Sequence, residues 1–325
     1  MNKQHRNGIN FLGLYDLLRG VFCRRNIFIF TVLLVSCTKE VSVTPPDGVP
    51  AMIVVEGWIQ NDEYAVVKLS RSSGYFDPIP SFTDTLKILD YILNDLVVQN
   101  ATVIVSDGLT SDTLKPELNF ISYSKKYKLP YVYMGKVLKG IPGKSYSLTV
   151  IADGKTFTSS TKIPELINLD TLYWKADIKD QTVGFPWSRF RDPDSLGNAY
   201  RLFTRRGGTD DEYTAALGSE FDDYFINATE FDFPFNRGEQ ISDDTLKKTE
   251  RSRIYGKYAA GDKMDVKFCT IDKAHFDFWR TFSISQQSGG SPFAAPINLK
   301  SNIVGDGVTG IWGGYGATFI TAEAK

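Results

Sequence analysis

The sequence predicts a mainly β protein: an N-terminal immunoglobulin- or transthyretin-like β-sandwich, then a second β-rich domain with one amphipathic helix. Three observations carry that prediction. Aromatic residues are abundant, with 22 Phe, 16 Tyr and 5 Trp, and such side chains favour strands over helical bundles. β-Branched runs alternate with turn formers about every ten residues, the rhythm of a sandwich. Only one long segment carries a clean helical period. The 325 residues are 42% hydrophobic and 23% charged, ordinary globular values that exclude wholesale disorder and a polytopic membrane protein. At roughly 150 residues per domain this length gives about two domains, each large enough for its own core.

The first element is an address rather than a fold. Arg24-Arg25-Asn26 precede Ile27 to Val35, a run with only Thr31 polar, and Ser36-Cys37 follow. Cations, a short apolar run and a small residue at the end are the parts of an export signal. The run is about half of the ~20 residues that a spanning helix needs. Leu34-Val35-Ser36-Cys37 resembles the lipobox of bacterial lipoproteins, in which the cysteine is acylated and becomes the new amino terminus. Residues 1–36 are therefore expected to be a lipoprotein signal peptide, with Cys37 the lipidation site. Residues 1–20 exceed what such a signal needs, which fits either an extended signal or a translation start further downstream. Several acyl chains at ~0.8 kcal/mol per buried methylene give stable anchoring without a helix. Of the three cysteines, Cys23 leaves with the signal, Cys37 carries lipid and Cys269 stays alone, so no internal disulfide is expected.

Residues 37–50 form the next element, a polar, proline-bearing tether without apolar period. Strands begin at once in the expected sandwich domain, residues 51–165. Ile53 to Ile59 and Ala65 to Leu69 flank the turn formers Asn61-Asp62. Ala101 to Val105 runs into Asp107-Gly108, a hairpin signal. Tyr131 to Tyr133, Tyr146 to Val150 before Asp153-Gly154, and Thr156 to Thr161 continue the pattern. Tyr146, Leu148 and Val150 share one face by period-2 spacing, and Tyr146 stands where sandwiches often place a corner tyrosine. An insert from Phe82 to Gln99 repeats leucine and isoleucine at three- and four-residue steps, which fits a short helix or an ordered loop.

Pro164-Glu165 and Asn168 to Asp170 mark the passage to the second domain, residues 166–325. Leu172 to Trp174, Tyr200 to Phe203 and Met264 to Phe268 read as strands. The acidic, aromatic stretch from Asp210 to Asp244 reads as long loops. One good helix is expected near 272–287: Asp272 can cap it, and His275, Phe278, Trp279 and Phe282 share a face. The tail from Ser288 to Gly316 is glycine-rich, its glycines fitting close backbone packing, and a last strand is expected at Thr318 to Thr321.

Composition excludes several chemistries. With 37 Lys+Arg against 38 Asp+Glu there is no basic excess to grip a nucleic acid. Two His and three Cys leave no zinc module, and no cofactor motif is present. His275 reads as a packed core residue and Cys269 as a small buried hydrophobe. No nucleophile elbow or papain-like string accompanies them. Asp192, Asp194 and Asn198 could offer oxygens to calcium, but the EF-hand spacing is not met and a turn between strands explains them. Asp192, Asp194, Glu220, Asp222 and Asp223 would serve a glycosidase only if two of them faced each other in one cleft. The string from Gly305 to Gly314 lacks the Lys-Ser/Thr of a phosphate loop.

Several strings in order carry a wider resemblance: VVEGWI, KLSRSSGYF, ATVIVSDG, GKSYSLTV, RDPDSLGNAYRL, EFDDYF, GDKMDVKF and the ending GGSPFAAPINLKSNIVGDGVTGIWGGYG. Together they resemble the Bacteroidota lipoprotein family called domain of unknown function 4249 over about residues 37–320. The resemblance implies an outer-membrane lipoprotein encoded beside a TonB-dependent receptor, with no catalytic positions to carry over. Lys39-Glu40 also resemble the charged export signals of surface lipoproteins, so display on the cell surface rather than the periplasmic face is expected.

The function expected from the sequence is therefore a non-enzymatic accessory or substrate-binding subunit of a TonB-dependent transport system, held by lipid in the outer membrane. Tyr213, Tyr224, Phe231 and Phe233 are its candidate partner or ligand contacts. The alternatives are a surface hydrolase acting on glycan or peptide, and a structural or adhesive lipoprotein that binds calcium.

Overall fold

A computed structural model describes residues 51–73, 87, 90–118, 131–240, 246–288 and 298–325. The expected signal peptide, Cys37, the tether and residues 82–86, 88 and 89 of the 82–99 insert lie outside the described residues. The first half contains β1 (Ile53–Gln60), β2 (Tyr64–Arg71), β3 (Thr102–Ser106), β4 (Ser111–Thr113), β5 (Lys115–Leu118), β6 (Tyr131–Lys139), β7 (Ser145–Ala152) and β8 (Lys155–Lys162). The second half contains β9 (Thr171–Ala176), β10 (Val183–Arg191), β11 (Ala199–Arg206), β12 (Glu220–Asp222) and β13 (Glu230–Pro234). It continues with helix α1 (Lys248–Ile254), β14 (Tyr258–Ala259), β15 (Lys263–Ile271), helix α2 (Lys273–Ser288) and β16 (Val308–Glu323). The end of the insert forms a short π-helical turn, Ile92–Leu96. The protein is thus mainly β with several sheets.

The strands assemble into one eight-stranded sheet, ordered β12-β11-β15-β16-β1-β2-β6-β5, and two smaller sheets. The long sheet takes strands from both sides of residue 165, and Val49–Lys325 cluster as one compact unit. Its join is the parallel pairing of β1 with β16, Ile53 opposite Val308 through Gln60 opposite Tyr315. Gly310 is needed there: its φ is 126°, and a side chain would strike the Val55 carbonyl.

The sheet β4-β3-β7-β8 faces strands β16, β1, β2 and β6 of the long sheet and completes a sandwich. Val55, Val67, Val103, Val105, Tyr133, Leu148, Val150, Phe157 and Trp312 fill its core. Period-2 alternation explains the choice of residues, since β7 buries Tyr146, Leu148, Val150 and Ala152 and exposes Ser145, Ser147 and Ile151. Tyr146 makes the corner: the Ile141 N–H donates to its hydroxyl at 2.9 Å, and that hydroxyl donates to the Lys139 carbonyl at 3.3 Å. The indole N–H of Trp312 donates to the Tyr146 carbonyl at 2.9 Å. Asn302 serves Trp312 as a substitute ladder partner, accepting its N–H at 2.9 Å and donating to its carbonyl at 2.7 Å.

In the second half, β10 pairs with β9 along one edge and with β13 and β14 along the other. This third sheet packs its Phe190 against Tyr200 and Phe268 of the long sheet, ring centroids 4.9 and 5.3 Å apart. The alternate residues of β11, β15 and β16, Ala199, Cys269, Tyr315 and Ala317, gather instead with Phe276 of α2. Asp272 caps α2 as expected, accepting the His275 N–H at 2.8 Å. A second close approach fixes the helix position, because His275 occupies the space where Gly313 would otherwise carry a side chain.

Three sequence expectations need correction. The stretch Asp210 to Asp244 holds strands β12 and β13 rather than loops alone; both are three to five residues long and too short for a periodic signal. A second helix, α1, exists where only one was expected; its Lys-Thr-Glu-Arg-Ser-Arg-Ile sequence buries just Ile254. The last strand starts at Val308 rather than Thr318. Its glycines are strand residues approached by backbone and by the His275 ring, so glycine content concealed it.

Candidate functional site

Two edge strands open the most conspicuous cleft. β12 ends the long sheet, and β13 ends the third sheet. Each is aligned by its neighbour: Tyr200 stands opposite Phe221 and Arg201 opposite Glu220, while Phe190 stands opposite Phe231 and Ser188 opposite Phe233. The turn between them is pinned by buried acids. Asp223 accepts the N–H groups of Gly197 and Asn198 at 2.7 and 2.8 Å. Asp192 accepts the Tyr200 hydroxyl at 2.5 Å and the Ala228 N–H at 3.4 Å.

The resulting cleft has a volume of about 830 Å³, within the range of small-ligand sites. Its walls are aromatic: Phe185, Trp187, Phe221, Phe231, Phe233 and Phe235, with Phe225 at the rim and Phe276 contributed by α2. Phe221 and Phe233 meet at 5.6 Å and Phe231 and Phe233 at 5.4 Å between centroids. Polar groups are few: Ser219, Glu220, Asp222, Asn236 and Arg280. Glu220 is only 3% exposed, and its Oε1 has no hydrogen-bond partner. Burial raises its pKa above the ordinary carboxylate value, opposed by its own backbone N–H, the Ser283 hydroxyl and the charges of Arg201 and Arg280.

A second cavity of about 360 Å³ adjoins this one, sharing Ala216, Leu217 and Asn236 as walls. Arg201, Trp279 and Ser283 line it. The Arg201 guanidinium lies 3.5 Å from the Trp279 ring centre, and it donates to the Tyr315 hydroxyl at 2.8 Å.

The contacts expected from sequence are distributed as follows. Phe231 and Phe233 form a cleft wall. Tyr224 is 72% exposed and touches the rim through Phe225, 4.6 Å between centroids. Tyr213 lies elsewhere, against Phe319 at 5.7 Å and under the Arg205 guanidinium at 4.5 Å. Asp192 is occupied by Tyr200, Asn198 donates to the Ser195 carbonyl, and Asp194 is exposed. Among the described residues no group of three or more His, Cys, Asp or Glu could hold a metal ion. Sequence reasoning did not single out Phe185, Trp187 or Arg280 for the cleft, since β10 was not read as a strand and Arg280 carries no motif.

The remaining reactive side chains are sequestered. Cys269 is fully buried with its thiol pushed up to about 11. His275 is 1% exposed, and burial lowers its pKa well below that of free imidazole. Among the described residues no helix is long and apolar enough to cross a membrane.

Fold and cleft together define a β protein with a ligand-sized aromatic cavity at the meeting of two sheet edges. The family described as "Domain of unknown function (DUF4249)" matches residues 38–320, and the chain belongs to that family. No curated protein matches the chain.

Proposed function

We propose that the protein is a non-enzymatic binding subunit, anchored by lipid at Cys37 in the outer membrane, that serves a TonB-dependent transporter through its aromatic cleft. The cleft carries this reading: aromatic walls and few polar groups at ligand-sized volume are the chemistry of capture rather than of bond cleavage. The resemblance of Leu34 to Cys37 to a lipobox, behind the apolar run Ile27 to Val35, supports the anchor. The tether, residues 38–50, leads directly into β1 in the middle of the long sheet. Fully extended at ~3.6 Å per residue it reaches at most about 47 Å, which keeps the cleft near a membrane partner. Confinement to one plane raises effective concentration without requiring a tight interface.

The test is capture of the partner by a tagged full-length protein in cells that make both. The Tyr224→Ala/Phe225→Ala double variant removes the exposed rim and should lose transporter capture several-fold while melting as the parent does. Cys37→Ala should release the protein from the membrane fraction. Recovery of the transporter at parental levels by both variants would refute the reading.

A surface hydrolase is the second reading, favoured by one observation: Glu220 and Asp222 both line the cleft. Their two-residue spacing on one strand puts their Cα atoms roughly 6.6 Å apart. Carboxylates that act on a glycosidic bond flank it from two sides, whereas these two rise from the same three-residue strand. Glycan or peptide hydrolysis that disappears in Glu220→Gln would favour this reading over the first.

A further inference from the structure

Five buried side-chain atoms lack a hydrogen-bond partner among the described residues: Arg201 Nε on β11, Ser219 Oγ and Glu220 Oε1 at the start of β12, and His275 Nδ1 and Trp279 Nε1 on α2. Buried polar atoms are satisfied almost everywhere in folded proteins, so such a concentration points to a missing partner. Arg201 and Glu220 are the two charged members. Arg205 and Arg206, further along the same strand, hold aspartates at 3.0 and 2.8 Å. Arg201, 8% exposed, holds no carboxylate among the described residues, although Glu220 is its register partner across the ladder. Neither forms an ion pair in contact distance among the described residues, so the Arg201 and Arg280 charges act on Glu220 only from further away, an arrangement that a bridging group of both charges would strengthen.

The two groups face adjoining cavities. Glu220 lines the aromatic cleft and offers an unmet acceptor. Arg201 and Trp279 line the smaller cavity and offer two unmet N–H donors. A head group that brings both a donor and an acceptor satisfies all three atoms, and a zwitterion also matches the charges of Glu220 and Arg201. We propose that the paired cavities bind a free α-amino acid with a large apolar side chain: its carboxylate on Arg201 and Trp279, its ammonium on Glu220, its side chain among the phenylalanines of the cleft. This assignment rests on the cleft being a capture site and names what it captures. Charge-assisted contacts at both ends account for specificity, and the aromatic walls account for the apolar requirement.

The experiment uses the purified, lipid-free mature chain, without any transporter, and titrates four probes by calorimetry and tryptophan fluorescence. They are phenylalanine, phenethylamine lacking the carboxylate, 3-phenylpropionate lacking the ammonium, and neutral 3-phenylpropionamide. Phenylalanine should bind at least about tenfold more tightly than each of the others, since each deletion leaves a buried charge unpaired. Glu220→Gln should abolish the preference for phenylalanine over phenylpropionate while keeping the preference over phenethylamine. Trp279→Phe keeps the ring beneath the guanidinium and should weaken phenylalanine and phenylpropionate alike. Equal binding of the amide or of either half-probe, or no binding by any probe, overturns the inference; the last result would mean that Arg201 and Glu220 simply pair with each other in solution. Because transporter capture is measured separately in cells, a failure here leaves that reading standing on its own test.

Discussion

Asp272 ties α2, which brings Phe276 to the cleft, to strand β8 of the sandwich, so its removal gives the sharpest test of the architecture. Its Oδ1 accepts the His275 N–H at 2.8 Å and caps α2. Its Oδ2 accepts the Thr161 hydroxyl at 2.6 Å and the Lys162 N–H at 3.2 Å, tying the helix start to β8. Asp272→Ala removes the cap, which costs about 1 kcal/mol. It also removes two hydrogen bonds to the carboxylate at roughly 1 kcal/mol each. Thr161 is 4% exposed and keeps one partner, the Gly314 N–H at 2.8 Å, while Lys162 is exposed and can turn to water. The sum is about 3 kcal/mol, or roughly 6–9 °C in Tm at ~2–3 °C per kcal/mol for a unit of this size. Urea denaturation and differential scanning calorimetry read it directly. Asp272→Asn keeps an acceptor for the cap and should recover more than half of the loss. An alanine variant within about 0.5 kcal/mol of the parent, the usual range for surface substitutions, would refute the claim that this carboxylate holds α2 against β8.

Gly313→Ala places a methyl group where the His275 ring lies, so it should destabilise by about 1–3 kcal/mol as overpacking, read by urea midpoint; a neutral outcome would mean the helix is free to shift. Glu220 titrates above its unfolded value of 4.5, so it favours the fold at low pH and opposes it as pH rises through the folded value. Glu220→Gln should therefore stabilise the protein at neutral pH relative to the parent, with the advantage vanishing below about pH 4; an advantage that grows on acidification would contradict the burial of this carboxyl. Cys269, buried with its thiol raised to about 11, should resist iodoacetamide at pH 8 in the folded protein and react promptly in denaturant, read by mass spectrometry.

How much of this was legible in the sequence follows from the range of the interactions involved. The strands β1, β2, β3, β7 and β8 announce themselves by local alternation between turn formers, and α2 by its cap and apolar stripe. The parallel joining of β1 to β16 has no local signature, because parallel partners are brought together by the whole intervening chain. Glycine hid the extent of β16: the glycines up to Gly316 read as close backbone packing ahead of a last strand at Thr318, yet Gly310, Gly313, Gly314 and Gly316 lie inside that strand, where backbone or a ring comes too close for a side chain. The cleft was half visible. Phe231 and Phe233 were singled out as exposed aromatics and stand in its wall, but Tyr213 has the same composition around it and stacks on Phe319 instead. Which aromatic residues share a cavity depends on the pairing of β12 with β11 and of β13 with β10, and strands of three and five residues carry too little period to reveal it. Arg201 and Glu220 face each other only because of that same register.

The most direct measurement places a photo-cross-linking amino acid at Phe225, on the cleft rim, and in a parallel strain at Leu109, on an exposed turn of the sandwich; both sites are at least 90% exposed. Irradiation of intact cells should yield an adduct of lipid-bearing protein and TonB-dependent transporter from position 225 and none from position 109. Adducts of equal yield from both positions, or transporter adducts from 109 alone, would contradict the assignment of the aromatic cleft as the working face of this protein.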